Sequence, residues 1–430
     1  MTQHESTATV LRKNKKVLIA SLTGSSIEWF DYFLYGTAAA LVFNKIFFPM
    51  VDPVIGLILS YLSFSLTFFI RPIGGVLFAH IGDRIGRKKT LVLTLSLMGG
   101  ATVMIGLLPT YDMIGMCAPA LLILMRIIQG MGIGGEWGGA LLLAYEYAPE
   151  KRKGFFGSIP QAGVTIGMLM ATFIVSLMTL FSEEDFLSWG WRIPFFLALP
   201  MGAVALWLRV SMEETPSFVQ QREKPVVTQA STAATFKTIL MGIGRVMVWS
   251  AAGYTYLVIM PTYLQSALHT GFNQALLIAV ISNIGFAFTI IPSGMLSDRI
   301  GRRTVMIIAT VLLLILALPL LKILQAESST LAVKAIVVLI AGGLVGMLAG
   351  PGPAMLSEMF PTRVRYTGLG LAYSLSNAIF SGCAGLIITG LIKETGNLDI
   401  PAYYVMATAV VSIFALMTLR KDDHLRSLEE

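Results

Sequence analysis

The chain has 430 residues and a formal net charge of +7. Hydrophobic residues make up 55% of it and charged residues only 13%, with a mean hydropathy of +0.76. A soluble domain carries about 25% charged residues, and a membrane β-barrel would show alternating segments of ~10 residues rather than recurring apolar runs long enough to cross a bilayer as helices.

Residues 1–16 are polar and basic. The apolar run that follows continues through Glu28 and Asp31 without a small-residue cleavage site, so it reads as a retained first helix. The first-half spans are predicted at 17–43, 54–80, 89–109, 117–146, 155–180 and 191–211. The second-half spans are predicted at 238–266, 275–297, 303–323, 331–357, 367–392 and 401–420. Between them, 212–237 is the longest polar segment and carries Glu213, Glu214, Arg222, Glu223 and Lys224. The expected fold is an all-α membrane protein with twelve transmembrane helices in two six-helix bundles, residues 1–211 and 238–430, joined by a cytoplasmic loop over 212–237.

Lysine and arginine alternate between loops. Arg12, Lys13, Lys15 and Lys16 precede span 1, Arg84 to Lys89 follow span 2, and Lys151 to Lys153 follow span 4. Arg222 and Lys224 lie in the central loop. Arg299, Arg302 and Arg303 follow span 8, Arg363 and Arg365 follow span 10, and Arg420 and Lys421 close span 12. The intervening loops are poor in basic residues, and 182–188 is acidic. The positive-inside rule therefore places both termini in the cytoplasm. The same placement accounts for the net charge without a nucleic-acid partner. Cys117 and Cys383 stand in apolar settings in opposite halves, which argues against a disulfide framework.

Asp83-Arg84-Ile85-Gly86-Arg87-Lys88-Lys89 recurs half a chain later as Asp298-Arg299-Ile300-Gly301-Arg302-Arg303. The run from Glu146 through Pro149 to Lys153 recurs at nearly the same offset, from Glu358 through Pro361 to Arg365. Two matches in the same order indicate duplication, and parallel repeats of six spans are a transporter design. Topology alone requires no Asp and no Gly at fixed places. Asp83, Arg84, Gly86, Arg87 and Glu146, with Asp298, Arg299, Gly301, Arg302 and Glu358, are therefore expected to form a cytoplasmic gate of charge contacts that break and re-form.

Carboxylates inside a membrane span cost ~2.5–3.5 kcal/mol each on insertion scales and are functional by default. Glu28 and Asp31 are three residues apart in span 1, so they are expected to share a helix face and to take part in proton coupling. Arg126 lies inside span 4, away from the basic turns. Its planar fork suits either an anionic substrate or Asp31, and Gln129 stands one turn on. Glu136 is ten residues past Arg126, ~15 Å along the axis, so its partner is expected on another helix. The surrounding glycines, Gly130, Gly134, Gly135, Gly138 and Gly139, read as helix packing. Arg71 before Pro72, and Arg245 in span 7, either snorkel to the surface or face a cavity. Arg192, which follows Trp189 and Trp191, reads as an interfacial anchor. Candidate substrate contacts in the second half are neutral: Tyr254, Tyr256, Tyr263, Asn283, Tyr373 and Asn377.

The Gly74 to Lys89 segment resembles the loop 2–3 signature of the major facilitator superfamily, and Arg126-Ile127-Ile128-Gln129-Gly130 resembles that superfamily's proton-coupling motif. Glu28-Trp29-Phe30-Asp31, Arg71-Pro72-Ile73-Gly74-Gly75, Gly134 to Gly139, Ser188 to Pro194 and Glu358 to Pro361 are similar to segments of the bacterial metabolite:H+ symporters. The resemblance covers nearly the whole chain. It implies import, across the bacterial cytoplasmic (inner) membrane, of organic anions such as α-ketoglutarate, citrate and shikimate or of zwitterionic osmolytes such as proline and betaine. The osmolyte importers tend to carry a long C-terminal extension. Here the chain continues only about ten residues past span 12, which favours a small organic acid. His4, His80, His269 and His424 are scattered, and no nucleophile, metal or phosphate-loop constellation appears, which argues against an enzyme and against ATP-driven transport. The expectation is a monomeric secondary transporter with protons as coupling ion, no other cofactor and no metal. A membrane receptor without flux is the remaining alternative.

Overall fold

The structure is a computed structural model that describes residues 6–178, 180–213, 219, 232–361 and 364–420. Arg222, Lys224, Arg363 and Lys421 lie outside the described residues, as does most of the central loop. Helices account for nearly all of the rest, with no strand among the described residues.

The first half contributes α1 (Lys15–Ala38), α2 (Pro53–Ile85), α3 (Arg87–Leu107), α4 (Cys117–Glu146), α5 (Lys153–Met178) and α6 (Ala198–Val210). The second contributes α7 (Thr232–Tyr254), α8 (Phe272–Ile300), α9 (Arg302–Gln325), α10 (Leu331–Ala349), α11 (Arg365–Asn377) and α12 (Ile400–Met417). Eleven of these, with their short helical extensions, are long and apolar enough to cross a membrane. The twelfth is α1, whose apolar run is interrupted by Ser21, Ser25, Ser26, Glu28 and Asp31, all buried. The basic turns lie together at one end of the bundle, here called the basic face.

The duplication is visible in the backbone. α1 continues into a wide π turn at Ala39–Phe43, and α7 continues into another at Thr255–Ile259, the matching place in the second half. α2 packs on α4 and α8 on α10 through small residues. A methyl at Gly134 would collide with the Arg71 carbonyl, and one at Gly346, its counterpart in the repeat, with Phe286 and Thr289. Such close approach is the means by which helices associate where lipid supplies no hydrophobic drive.

The halves meet along α5–α8, α2–α11 and α4–α11. Ser65 Oγ donates to the Gly382 carbonyl at 3.2 Å, and the Tyr366 hydroxyl donates to the Gly135 carbonyl. Phe173, Trp207, Phe288 and Phe414 are exposed on the outside, where lipid covers them. The expected anchor at Arg192 takes a different form. Trp189 is exposed, but Trp191 is buried against Phe43, Phe47 and Phe195. Arg192 donates to the Gly106 and Leu108 carbonyls at 2.9 and 2.6 Å, closing the end of α3.

Candidate functional site

Away from the basic turns, six acidic or basic side chains are buried among the described residues of the first half: Glu28, Asp31, Arg71, Arg126, Glu136 and Arg209. Four of them form two ion pairs. Arg71 Nη2 donates to Glu28 Oε1 at 2.5 Å. Arg209 on α6 binds both carboxylate oxygens of Glu136, to which Thr94 on α3 also donates at 3.1 Å. Glu136 thus has the interhelical partner its position requires.

Asp31 and Arg126 are connected but not in contact. Thr102 Oγ1 donates to Asp31 Oδ2 at 2.7 Å, and Gln129 Nε2 donates to Thr102 Oγ1 at 2.9 Å. Arg126 Nη1 donates to Gln129 Oε1 at 2.5 Å. The rest of the guanidinium is taken up by the Ser63 and Phe64 carbonyls, by Thr67 Oγ1 and by the Tyr35 ring, 3.6 Å away. Asp31 Oδ1 has no hydrogen-bond partner among the described residues. Arg126 therefore does not pair directly with Asp31. Glu28 and Asp31, three residues apart on α1, bond to different neighbours: Glu28 to Arg71 on α2 and Asp31 to Thr102 on α3.

At the centre, between the halves, lies a cavity of about 40 Å³, room for a few waters. Its lining includes Trp29, Tyr32, Phe33, Phe68, Gln161, Trp249, Ser250, Tyr254, Tyr373, Asn377 and Ser381. None of the lining residues is charged. Of the residues expected to contact substrate, Tyr254, Tyr373 and Asn377 line this cavity. The other expected contacts lie outside the lining. Arg71 is held by Glu28, which settles it as interior rather than snorkelling, and Arg126 and Gln129 sit in the chain described above. Asn283 donates to the Ala279 carbonyl at 3.1 Å within α8. Arg245 binds the Ala415 carbonyl and Thr418 beside a cavity of about 280 Å³ at the basic face. Tyr256 packs in the second-half core, and Tyr263 donates to the Leu398 carbonyl at 2.7 Å far from the centre.

The basic face carries the repeated turns. Gly86 and Gly301 have φ of 104° and 96° with ψ of 156° and 150°, a region open essentially to glycine alone. Each glycine breaks one helix and starts the next, so that Arg87 pairs with Glu146 and Arg302 with Glu358, at 3.0 Å in the second case. Arg302 also donates to Asp298 Oδ1 at 2.7 Å. Asp298 in turn accepts from the Gly154 and Phe155 amides at 2.8 and 2.9 Å, which ties α8 to the start of α5 across the two halves. A carboxylate at a helix N-terminus also meets the positive end of its dipole. Arg84 and Arg299 point outward and are exposed. The Asp83 side chain lies outside the described residues.

The sequence profile described as "Sugar (and other) transporter" matches residues 16–235, and the one described as "Major Facilitator Superfamily" matches residues 245–429. The chain is 39% identical to the inner membrane metabolite transport protein YhjE of Escherichia coli (strain K12), covering 98% of this chain and 97% of that one. The chain belongs to the major facilitator superfamily, in its metabolite:H+ symporter family. It is also 36% identical to the proline/betaine transporter of E. coli (strain K12), over 95% of this chain and 84% of the relative. Among solved structures, the proton:xylose symporter XylE bound to 6-bromo-6-deoxy-D-glucose shares the fold, with a TM-score of 0.77, 94% coverage of each chain and 16% identity. The protein is therefore a membrane-embedded secondary transporter of a small molecule, not an enzyme.

Several residues of the transporter's interior carry no mark in the sequence. Arg209 sits at the end of an apolar run, far along the chain from Glu136, and nothing local reveals the pairing. Thr102 and Ser63 look like ordinary span residues. Tyr32, Phe33 and Trp249 read as core until the two halves close around them. The run from Glu28 to Phe33 alternates acids with aromatics, and that is the local signal that identified the region.

Proposed function

We propose that the protein imports a small monocarboxylate with protons across the bacterial inner membrane by alternating access, with the basic face and both termini in the cytoplasm. The observation that carries this is Asp31, a fully buried carboxyl in a membrane span with no cation in hydrogen-bonding reach among the described residues. Such a group is a natural proton carrier. Thr102 and Gln129 connect it to Arg126, so that a change in its charge is felt on α3 and α4.

The uncharged central lining limits the solute. A di- or tricarboxylate there would bring charges that nothing on the walls neutralises, and an uncompensated buried charge is costly. A single carboxylate brings one such charge rather than two or three. During transport, the Asp298 contacts to α5 and the Arg302–Glu358 pair hold the basic face closed and break when it opens. The protein works as a monomer, with no cofactor besides protons.

A second reading is a zwitterionic osmolyte such as proline or betaine. Its support is the aromatic lining from Trp29, Tyr32, Phe33, Trp249, Tyr254 and Tyr373, which suits an ammonium group, together with the related proline/betaine transporter.

The deciding measurement is uptake into proteoliposomes with an imposed pH gradient, comparing shikimate, α-ketoglutarate, citrate, proline and betaine. Preferential accumulation of the monocarboxylate, abolished by a protonophore, is expected. Preference for proline or betaine would replace the first reading with the second. Flux that needs ATP, or no flux under any gradient, would sink both.

A further inference from the structure

Gln161 stands in the wall of the central cavity. It lies on α5, directly after Pro160. A methyl added to Gly157, one turn earlier, would meet Pro353 and Ala354 of the second half. Thr165, one turn later, donates to the Asn283 carbonyl of α8 at 3.3 Å. The stripe of α5 that carries Gln161 therefore faces the other half, and Val164 on the same stripe also lines the cavity.

The serines and the asparagine on the second-half wall are occupied with one another. The Ser250 and Ser376 hydroxyls lie 2.9 Å apart, and Ser381 Oγ donates to the Ser250 carbonyl and to Asn377 Oδ1, each at 2.9 Å. Asn377 Nδ2 donates to the Tyr373 carbonyl at 3.1 Å. Gln161 is different. It is only 2% exposed, and its amide makes no hydrogen bond among the described residues. Neither end of the amide is sealed off by surrounding atoms, so it opens onto the cavity. A primary amide offers N–H donors and a carbonyl acceptor. Water in the cavity satisfies both ends. A solute that displaces the water must do the same or leave a buried amide unpaired.

We propose that Gln161 is a specificity-determining residue that reads a hydroxyl on the solute. The imported acid is then a hydroxylated monocarboxylate, an inference that rests on the proposed carboxylate symport. A hydroxyl donates to Oε1 or accepts from Nε2, and neighbouring hydroxyls engage both ends at once. A carboxylate only accepts and leaves Oε1 without a donor. A quaternary ammonium or an alkyl group pairs with neither end, which sets the wall against betaine. The hydroxylated side of the solute therefore turns towards α5. Rejection of an analogue without the hydroxyl exceeds what a missing methylene produces, because the wall's own polar group is left unpaired.

The test uses the full chain in proteoliposomes with an imposed pH gradient. The probes are shikimate and cyclohexenecarboxylate, which keeps the ring and the carboxylate and lacks the hydroxyls. In the wild-type protein the KM for shikimate should lie about five- to ten-fold below the inhibition constant of cyclohexenecarboxylate against shikimate uptake. Gln161→Met, close in volume but without the amide, should raise the KM for shikimate by a similar factor while the inhibition constant stays or falls. A variant that keeps the wild-type ratio, or raises both constants alike, would overturn the proposal while leaving symport intact. Should the variant fail to assemble, the wild-type ratio decides, and no preference for shikimate over its analogue overturns the proposal. If the wild-type protein accumulates no shikimate, the monocarboxylate reading fails and this one with it.

Discussion

In the first half, Glu28, Asp31, Arg71, Arg126, Glu136 and Arg209 are buried among six helices. Carried across by the offset of the repeated turns, Glu28 falls at Ile243 and Asp31 at Val246. Arg71 falls at Phe286, and the offset of the Glu146 and Glu358 runs takes Arg126 to Val338 and Glu136 to Leu348. Both halves nevertheless keep the glycine turn, the arginine–glutamate pair, the π turn and the glycine-mediated packing of alternate helices. The second half shows that this scaffold needs no buried charge at those places to pack. The charges in the first half therefore burden its assembly, at ~2.5–3.5 kcal/mol each on insertion scales before pairing, and their retention points to work rather than architecture.

The sharpest way to break this comparison is to neutralise the acid that has no cation beside it. Asp31→Asn should lower pH-driven accumulation by about ten-fold or more, because a proton carrier contributes at least that factor to a coupled step. Exchange of solute between equal pools should fall less. Equal loss of both would make Asp31 a structural residue and would erase the functional distinction between the halves.

Stability comes next. Removing one member of a buried ion pair leaves the other uncompensated, at ~3–5 kcal/mol. Glu136→Ala should therefore lower the thermal unfolding temperature of the detergent-solubilised protein markedly. A double change of Glu136→Leu and Arg209→Met, which makes the region resemble Leu348 and its surroundings, should recover much of the loss. A double variant no more stable than the single one would show that the pair itself organises α4 and α6.

Most of the architecture was legible because the membrane enforces it. Every backbone group must be satisfied within the span, so apolar runs become helices and basic residues mark one face. Gly86 and Gly301 were legible as a repeat, and the backbone explains them: no other residue enters that turn without strain. The central site was legible only in part. Asp31, Glu28 and Glu136 announce themselves because acids are rare in spans. Tyr32 and Trp249 do not, because an aromatic facing a cavity and one facing a neighbour look alike in sequence. Arg71 and Arg245 looked equivalent, each about two turns inside a span. The structure separates them: one meets a carboxylate from another helix, and the other meets the end of α12. Such partners come from packing between distant segments, which periodicity does not encode.

The glycine turns give a prediction of intermediate size that sharpens the equivalence. Gly86→Ala and Gly301→Ala should each cost about 1–3 kcal/mol, and the two losses should match, since the two turns share φ and ψ closely. Unfolding temperatures of the two variants measured side by side provide the check. A large difference would mean that one turn bears strain the other does not.

The smallest expected effect lies on the face opposite the basic turns. In the first half, Lys45 and Glu183 approach to 3.3 Å but both are exposed, and such pairs contribute little. In the second half, Asp399 binds Lys322 at 2.8 Å and Gln325 at 3.0 Å, and Gln325 also reaches the Tyr263 hydroxyl and the Leu398 carbonyl. The Lys322 hydrogen bond, helped by Gln325, holds the Asp399 carboxyl below its ordinary range. A depressed folded pKa stabilises the protein above the unfolded value of about 4, and that stabilisation is lost as pH falls through the folded value. Lys322 is more than half exposed, so screening limits the contribution to about 0.2–1 kcal/mol. Asp399→Asn should therefore lower the unfolding temperature slightly at pH 7, with the gap to the wild-type protein closing below about pH 4, whereas Glu183→Gln should do nothing at either pH. A gap that persists in acid would assign the effect to the Gln325 hydrogen bonds rather than to charge.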